Sequence, residues 1–239
     1  MNYYFITGTS HGIGKSIATL LLADPHNFVT GFARNCSIEH ERYTHIKIDL
    51  SDDEQVKEWA FPELKNATKI ALINNAGTLG TIRYVGNLDA AEIVQTFQLN
   101  LVSPTLLTNS FLKKYISNTV TQIIINVSSG AGKNPIDGWS VYCATKAGVD
   151  LFTKTIAEEL KILNRKNVFV FSVAPGVVDT QMQSQIRLAN KDDFSRVKTF
   201  VDYKNLAYLE QPDNVASKYL SILAHPEKFK DVVFSVKDI

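Results

Sequence analysis

Short apolar runs alternate with longer amphipathic stretches along almost the whole chain, and this alternation restricts the possible fold more than any other feature of the sequence. The runs are rich in Ile, Val and Phe and show little polar alternation, which is typical of parallel strands covered on both faces. They cover Tyr3–Thr7, Phe28–Ala33, His45–Ile48, Lys69–Ile73, Thr121–Val127, Val168–Val173 and Asp231–Val236. The stretches between them include the predicted helices Ile13–Ala23, Asp52–Ala60, Asp89–Lys114 and Ser140–Leu163.

Strands that alternate with helices predict an α/β fold, a doubly wound parallel β-sheet with helices on both faces (the Rossmann fold). Ligands of such folds bind at the carboxyl ends of the strands. The 239 residues contain no internal repeat, low-complexity tract or linker, so we expect residues 1–239 to form a single domain. The stretch Gln181–Asn205 is polar, charged and irregular in pattern, and its position predicts a substrate lid.

The charge and cysteine content narrow the classes of partner. Lys and Arg number 25 against 24 Asp and Glu, and this net charge of +1 indicates neither a nucleic-acid nor a membrane partner, so we expect a small molecule. Cys36 and Cys143 are too few for a disulfide framework or a structural zinc site, and we predict free thiols, no metal and a reducing compartment. Since no leader or membrane-spanning run is recognisable, the expected location is the cytoplasm.

A glycine-rich loop, Thr7–Gly14, comes directly after the first predicted strand and opens into a helix. Glycines let the backbone approach a pyrophosphate, which the free amides and positive end of the helix then hold. Because strand, glycines and helix follow in the required order, the loop indicates a dinucleotide site rather than a plain tight turn. The contacts predicted here are Gly8, Ser10, His11, Gly12, Ile13 and Gly14.

The end of the second strand indicates which dinucleotide is bound. An NAD site usually has Asp or Glu about 20 residues after the glycines, where it binds the ribose 2′-hydroxyl. Residues 28–36 contain no acidic side chain, and Arg34 instead offers a cation for a 2′-phosphate. His11 would add a second donor. We therefore predict NADP(H) as the cofactor; the alternatives are a solvated Arg34 and a His11 without a cofactor contact.

Tyr142 and Lys146 are four residues apart on a predicted helix, so both project from one face. A nearby ammonium favours a phenolate, and we expect Lys146 to lower the pKa of Tyr142 from its ordinary value of about 10 and so to make it an acid–base group. Ser129, thirteen residues earlier, follows a predicted strand and would donate a hydrogen bond to a carbonyl oxygen as charge develops there. The tyrosine–lysine spacing is common by itself, and the serine at the strand end gives it weight.

These motifs together resemble the short-chain dehydrogenase/reductase family over nearly the whole chain. The matching elements, in the family's order, are the loop Thr7–Gly14, Asn74-Asn75-Ala76-Gly77 after the fourth strand, Asn100, Ser129, Tyr142, Lys146 and Pro175-Gly176. The resemblance implies a nicotinamide-dependent oxidoreductase that acts on a small carbonyl compound.

The resemblance also implies a role for each matching residue. Tyr142 would be the general acid of reduction, Ser129 would orient the carbonyl, and Lys146 would also bind the nicotinamide ribose. Asn100 would hold a water that extends the proton relay, or would merely pin a helix. The further cofactor contacts that the resemblance implies are Asp49, Leu50, Asn75, Ala76, Gly77, Gly176, Val178 and Thr180. For Asp49 the alternative is a cap on the helix that follows.

Two local stretches, Ser128–Cys143 and Pro175–Gln183, resemble the family branch that contains the benzil and sepiapterin reductases. This implies NADPH-dependent reduction of a ketone or vicinal diketone. The competing 3-oxoacyl carrier protein reductases usually end in a glycine-containing strand, which Val232–Ile239 lacks. The 3-oxoacyl carrier protein reductases remain an alternative. Two others are NAD-linked alcohol oxidation, which Arg34 disfavours, and a non-catalytic dinucleotide-binding protein, which the presence of Ser129, Tyr142 and Lys146 disfavours.

Trp139 and Met182 flank the expected pocket in sequence, and with Ser129 and Tyr142 they are the predicted substrate contacts. Trp139 alternatively packs the turn before its helix. Asp179 would contact a polar edge of the substrate or cap the lid helix. The resemblance further implies a homodimer or homotetramer in which the two long predicted helices bury apolar faces against a partner.

Overall fold

The computed structural model describes residues 1–239, in which seven parallel strands form one sheet in the order β3-β2-β1-β4-β5-β6-β7. The fold class is the predicted one, and every predicted apolar run is a strand, with differences only in the end residues. The strands are β1 Asn2–Thr7, β2 Asn27–Ala33, β3 Tyr43–Lys47, β4 Lys69–Asn74, β5 Thr121–Val127, β6 Val168–Ala174 and β7 Val233–Ser235.

The strand order reverses between β1 and β4, because the chain first builds the sheet outwards to β3 and then returns to the other side of β1. Crossover connections on the two sides of this point leave a crevice at the carboxyl ends of the strands, which is where doubly wound sheets bind ligands. Thr7 ends β1 and Asn74 ends β4, so the glycine loop and the Asn74–Gly77 segment meet at this crevice.

Eight α-helices cover the two faces of the sheet and the crevice. They are α1 Gly12–Leu22, α2 Asp53–Glu58, α3 Ala90–Phe97, α4 Ser103–Tyr115, α5 Ser140–Ile162, α6 Gln181–Arg187, α7 Val197–Asn205 and α8 Pro212–Ala224. Both faces of the central strands are buried, which explains their continuous apolar runs, and consecutive residues of β1 illustrate this. Tyr4 and Ile6 lie in a core with residues of α1 and α8, whereas Phe5 lies in a second core with residues of α4 and α5.

The predicted helix Asp89–Lys114 is not one continuous α-helix. It consists of α3 and α4 joined by a π-helical segment, Gln98–Val102, which contains Asn100. A π-helical turn inserts an extra residue into the helix and often marks a functional position. The predicted helix Asp52–Ala60 ends earlier, at Glu58, since Pro62 disfavours helical conformation in the residues just before it.

The stretch predicted as a lid is more regular than its polar composition indicated. It holds α6 and α7, and their apolar residues form a third, smaller core with Leu79, Trp139 and Tyr142. Ile186, Phe194 and Val197 supply the lid's share of this core. The lid is therefore held over the carboxyl edge of the sheet by apolar packing against α5.

Three further features of the chain bear on its partners. No helix combines the length and the apolar character that crossing a bilayer requires. No group of three or more His, Cys, Asp or Glu side chains is placed to hold a metal ion. Cys36 and Cys143 are both free thiols.

Candidate active site

The loop between β1 and α1 has the backbone geometry of an anion-binding turn. Gly8 and Gly12 adopt φ values of +75° and +60°, which side-chain-bearing residues rarely adopt. The first turn of α1 contains no acidic residue, and His11, which precedes the helix, makes no capping hydrogen bond with its side chain. The N-terminal amides of α1 and the positive end of its dipole are thus available to an anion such as a pyrophosphate.

Gly14 is needed for a different reason, the close packing of α1 against the strand ends. A Cβ at this position would lie 2.4 Å from both the Nδ2 atom of Asn75 and the carbonyl oxygen of Gly8. Asn75 is fixed there because its Nδ2 donates to the carbonyl oxygen of Thr7 at 2.9 Å. The Thr7 hydroxyl in turn accepts from the amides of Asn75 and Ala76, each at 2.9 Å. Asn75 and Ala76 therefore hold the glycine loop in shape.

A cleft of about 1030 Å³ runs from this loop along the crevice, large enough for a dinucleotide. Most of the cofactor contacts predicted from the sequence line it. They are Gly8, Ser10, His11, Gly12, Ile13, Arg34, Asp49, Leu50, Asn75, Ala76, Gly77, Tyr142, Lys146 and Thr180. Three predicted contacts do not: Gly14 is covered by Asn75, and Gly176 and Val178 line the adjoining cavity instead.

Arg34 and Asp49 lie together at the far end of the cleft. Arg34 is exposed at the end of β2, as predicted. Burial by itself would raise the pKa of Asp49, but hydrogen bonds from Ser51 and the charge of Arg34 outweigh it, and the pKa is lowered. Asp49 is not the helix cap that was the alternative, since Asp52 caps α2 by accepting from the amides of Glu54 and Gln55. The Nδ1 atom of His11 lies 2.9 Å from the hydroxyl of Ser10.

The carboxyl end of β5 and the start of α5 bring Ser129, Tyr142 and Lys146 together. Lys146 is buried, and its Nζ atom lies 5.7 Å from the centre of the Tyr142 ring and donates to the carbonyl oxygen of Val127 at 2.7 Å. The Ser129 side chain lies close enough to the phenol to act on its pKa, and it accepts from the amide of Ala131 at 3.2 Å. The side chains predicted for proton transfer thus share one site.

The electrostatics of the pair differ from the expectation. Burial raises the pKa of Tyr142 to about 12, although the Ser129 side chain acts to lower it. Burial also lowers the pKa of Lys146 to about 8, although the charge of Asp150 acts in the opposite direction. The predicted lowering of the tyrosine pKa by the ammonium is therefore wrong, because both groups have lost most of their hydration. A phenol with this pKa keeps its proton at neutral pH and is available as a proton donor.

Asn100 uses both ends of its amide within the protein. Its Oδ1 accepts from the Thr78 amide at 2.9 Å, and its Nδ2 donates to the Thr78 carbonyl oxygen at 2.8 Å and to the Thr145 hydroxyl at 3.2 Å. It therefore pins the π-helical segment to α5 and to the loop after β4. Asn100 is also close to Lys146, since a Cβ on Gly77 would lie within 4 Å of both Asn100 Oδ1 and Lys146 Nζ.

A second cavity, of about 760 Å³, adjoins the cleft at Tyr142. The predicted substrate contacts Ser129, Trp139, Tyr142 and Met182 all line it. Trp139 also packs within the protein, which was the alternative role considered for it. Its ring stacks on that of Phe194 and contacts that of Tyr142 edge to face, with centroid distances of 5.3 Å and 5.8 Å. One side chain therefore forms the cavity wall and anchors the lid.

Asp179 takes neither of the roles considered for it. Its carboxylate pairs with Nζ of Lys204 at 2.5 Å and so joins the residue before α6 to the end of α7. Thr180 precedes α6 at the capping position and makes no capping hydrogen bond with its side chain. This ion pair therefore joins the two ends of the lid.

Several cavity residues were not singled out from the sequence. They are Leu79 after β4, Ile136 before α5 and Gln183, Ile186, Arg196 and Phe200 in the lid. Each is an ordinary core or helix residue by type, and no motif marks it. They reach the cavity because the lid packs against the loop after β4 and the segment before α5.

Comparison with known proteins agrees with this geometry. The family model described as short chain dehydrogenase matches residues 2–191. Benzil reductase ((S)-benzoin forming) of Bacillus subtilis (strain 168) is 36% identical over 229 residues, which cover 93% of each chain. Sepiapterin reductase of Bos taurus is 30% identical, over 94% of this chain and 90% of the relative. A solved short-chain dehydrogenase/reductase from Saccharomyces cerevisiae superposes with a TM-score of 0.84 at 25% identity, over 99% of this chain and 96% of that chain.

Proposed function

Since the chain belongs to the short chain dehydrogenase family and is thus an oxidoreductase of a nicotinamide-dependent type, we propose that it uses NADPH to reduce a ketone or vicinal diketone to the alcohol. The observation that carries the proposal is the placement of Tyr142. Its phenol, with a pKa raised to about 12, lies where the long cleft meets the second cavity, beside Ser129. A protonated acid at the junction of a cofactor site and a substrate site suits carbonyl reduction.

The cleft fits a dinucleotide in shape and in chemistry. The free amides at the start of α1 and the left-handed Gly8 and Gly12 would hold the pyrophosphate. Arg34 would hold the 2′-phosphate that distinguishes NADP from NAD. Lys146 would bind the nicotinamide ribose, and Thr180 would lie near the nicotinamide end. The bound nicotinamide supplies the hydride.

The chain's own residues supply the proton and position the carbonyl. The Tyr142 hydroxyl would donate its proton to the carbonyl oxygen as negative charge develops there. Ser129 would donate a second hydrogen bond to the same oxygen and so hold the carbonyl carbon toward the cofactor cleft. Lys146 would stabilise the phenolate left behind, and Asn100, next to Lys146, would anchor the relay that returns the proton.

The character of the second cavity supports a flat or aromatic ketone as substrate. Trp139 and Met182 form part of its wall, and Leu79, Ile136 and Phe200 add apolar surface. Two benzil reductases and a sepiapterin reductase are among the relatives with 30% identity or more. A 3-oxoacyl carrier protein reductase or an NAD-linked alcohol dehydrogenase is the alternative, and neither has an observation here that favours it.

The proposal is tested by mixing the purified protein with NADPH and benzil and following the absorbance of the reduced cofactor. We expect steady oxidation of NADPH with formation of benzoin, identified by chromatography. The same assay with sepiapterin, a quinone and an acetoacetyl thioester shows which carbonyl class is preferred. A protein that turned over none of these substrates, while it bound NADPH, would contradict the proposed function.

Arg34 is expected to set the preference for NADPH. In the variant Arg34→Asp, a carboxylate faces the 2′-phosphate in place of the guanidinium, and we expect kcat/KM for NADPH to fall by about 10²-fold. The value for NADH should change by less than about threefold, since NADH lacks the phosphate. Lys47, at the end of β3, offers a control, because Lys47→Asp makes the same charge change outside the cleft. An unchanged ratio of NADPH to NADH in the Arg34 variant would refute the assignment.

Exposed apolar residues on α5 and at its end support a homodimer or homotetramer. Leu151, Ile162 and Leu163 are 67%, 83% and 57% exposed, and Val94 on α3 is 68% exposed. Apolar side chains this exposed gain stability when a second copy covers them. We propose self-association through this surface on those grounds.

A further inference from the structure

Three buried polar side chains in the wall of the second cavity have an atom without a hydrogen-bond partner: Ser128 through its Oγ, Trp139 through its Nε1 and Gln183 through its Oε1. Ser128 directly follows β5, whereas Trp139 and Gln183 lie at the start of α5 and in the lid. Trp139 and Gln183 are only 6% and 7% exposed, so bulk water does not compensate for their missing bonds. An unpaired polar group of this kind costs about 1–3 kcal/mol, and the great majority of buried polar groups in proteins are paired.

The two side chains come from different elements that meet at the reaction centre. Trp139 directly precedes α5, and its ring touches that of Tyr142 edge to face. Gln183 is on the lid helix α6, next to Met182. Because Trp139 also stacks on Phe194 of the lid, the indole of Trp139 and the amide of Gln183 lie in the wall of one cavity.

The chemistry of the two groups selects their ligand. An indole N–H only donates, whereas a glutamine amide donates through Nε2 or accepts through Oε1 after rotation about its last bond. A carbonyl oxygen accepts from both groups, and a hydroxyl accepts from the indole and donates to Oε1. An oxygen atom on an otherwise apolar ligand can therefore supply the missing hydrogen-bond partner of both side chains.

We propose that Trp139 and Gln183 form a subsite, here the second-oxygen subsite, that binds the oxygen on the carbon next to the carbonyl being reduced. This inference rests on the proposed function, since it assumes reduction of a vicinal diketone beside Tyr142. The reacting oxygen is held by Tyr142 and Ser129, and the neighbouring oxygen by Trp139 and Gln183. Two fixed oxygens define the plane of the substrate, and they therefore fix which face of the carbonyl is turned to the hydride.

The test compares benzil with deoxybenzoin, in which a methylene replaces the second carbonyl, in three variants. Gln183→Leu and Trp139→Phe each remove the hydrogen-bonding atoms and keep most of the side-chain volume. Trp59→Phe is the matched control, because Trp59 also has a buried, unpaired Nε1 but lies against Phe32, in the core on the α4 and α5 face of the sheet. Benzil is intrinsically the more reactive ketone, so the readout is the change in the kcat/KM ratio between wild type and variant.

We expect each subsite variant to lower the benzil to deoxybenzoin ratio by about tenfold, since a site built to bond an oxygen loses that advantage with its bonding group. The enantiomeric excess of the benzoin should fall as well. Trp59→Phe should leave both measurements at the wild-type values. A calorimetric titration of benzil without cofactor should give a dissociation constant about tenfold higher for the subsite variants.

The outcomes separate the two proposals. If wild type reduces benzil and the subsite variants keep its ratio and its enantiomeric excess, the second-oxygen subsite is wrong and the reductase function stands. Loss of thermal stability in the variants with an unchanged ratio would mean that Trp139 and Gln183 only hold the lid in place, which also overturns the subsite. If wild type reduces neither ketone, the proposed function fails and the subsite fails with it.

Discussion

Replacing Tyr142 by Phe is expected to lower kcat/KM for benzil by about 10³-fold, because the variant lacks the hydroxyl that we propose protonates the carbonyl oxygen beside Ser129. The phenol is buried and its pKa is raised to about 12, so in the wild type it remains protonated at neutral pH. The loss should be in kcat, since the ring itself and its contact with Trp139 are kept.

Two controls make this result specific to the hydroxyl. NADPH binding, followed by the fluorescence of the reduced cofactor, should change by less than about threefold in Tyr142→Phe. Tyr115→Phe is the matched variant, because its hydroxyl is also in a buried ring, and donates to the carbonyl oxygen of Pro62 far from the cleft. Tyr115→Phe should keep full activity. Activity of Tyr142→Phe within tenfold of wild type would refute the role of the phenol as proton donor.

The sheet and the glycine loop were predictable because their causes are local in the sequence. Strands buried on both faces need runs of Ile, Val and Phe, and β1 shows this with Tyr4, Phe5 and Ile6 all at least 96% buried. The loop requires left-handed backbone at Gly8 and Gly12 and no side chain at Gly14, and only glycine meets both needs. Each of these requirements restricts the residue type at particular positions, so the sequence alone indicates the strands and the loop.

The lid and its role were only partly predictable, because its residues acquire their function through contacts distant in sequence. Asp179 pairs with Lys204, twenty-five residues away, and nothing in either neighbourhood indicates that pairing. Gln183 is an ordinary residue for a polar helix, and it differs from Gln181 only because the fold buries it in the cavity wall. The break in the sequence pattern marked the position of this segment, but it did not indicate the contacts that the segment makes.

The direction of the pKa shift of Tyr142 was also not predictable from the sequence, because it too depends on contacts distant in sequence. Spacing places Lys146 one turn from Tyr142, and an ammonium in water would lower the pKa of its neighbour. Whether water is there depends on the lid, on Trp139 and on the end of β5, which together bury both groups. Desolvation then dominates, and it destabilises the phenolate and the ammonium alike.

Replacing Lys146 by Met is expected to abolish most of the reductase activity and to make the protein more stable at neutral pH. The lysine's pKa is lowered from 10.5 to about 8 by burial, even with the attraction of Asp150 included. A shift of this size means that the charged form of Lys146 lowers the free energy of unfolding by roughly 3 kcal/mol relative to the neutral form. Loss of the hydrogen bond to the Val127 carbonyl oxygen offsets about 1 kcal/mol. The expected net stabilisation of Lys146→Met at pH 7 is thus about 2 kcal/mol.

The pH dependence distinguishes this cause from better packing by methionine. Below pH 8 lysine is charged in both the folded and the unfolded wild type, and the full disadvantage is present. Between pH 8 and 10.5 the unfolded chain binds more protons than the folded one, so wild-type stability rises with pH and the advantage of Lys146→Met shrinks. Tyr142 is common to both proteins, so its own titration cancels. Denaturant unfolding at pH 7 and pH 9.5 should therefore show a smaller difference at the higher pH.

The activity should also depend on protonation of Lys146, but it should fall with rising pH, whereas the wild-type stability rises. If the ammonium stabilises the phenolate left by Tyr142, wild-type kcat/KM for benzil should fall as pH rises through about 8, while the residual rate of Lys146→Met should not show this fall. Lys69→Met is the matched control, because Lys69 is also partly buried with a lowered pKa and donates to the carbonyl oxygen of Leu223, far from the cleft. It should keep wild-type activity and pH profile. A Lys146→Met protein that was less stable than wild type at pH 7 would mean that the buried ammonium does not weaken the fold. The same fall in rate near pH 8 in Lys146→Met and wild type would mean that the ammonium does not serve the proton transfer.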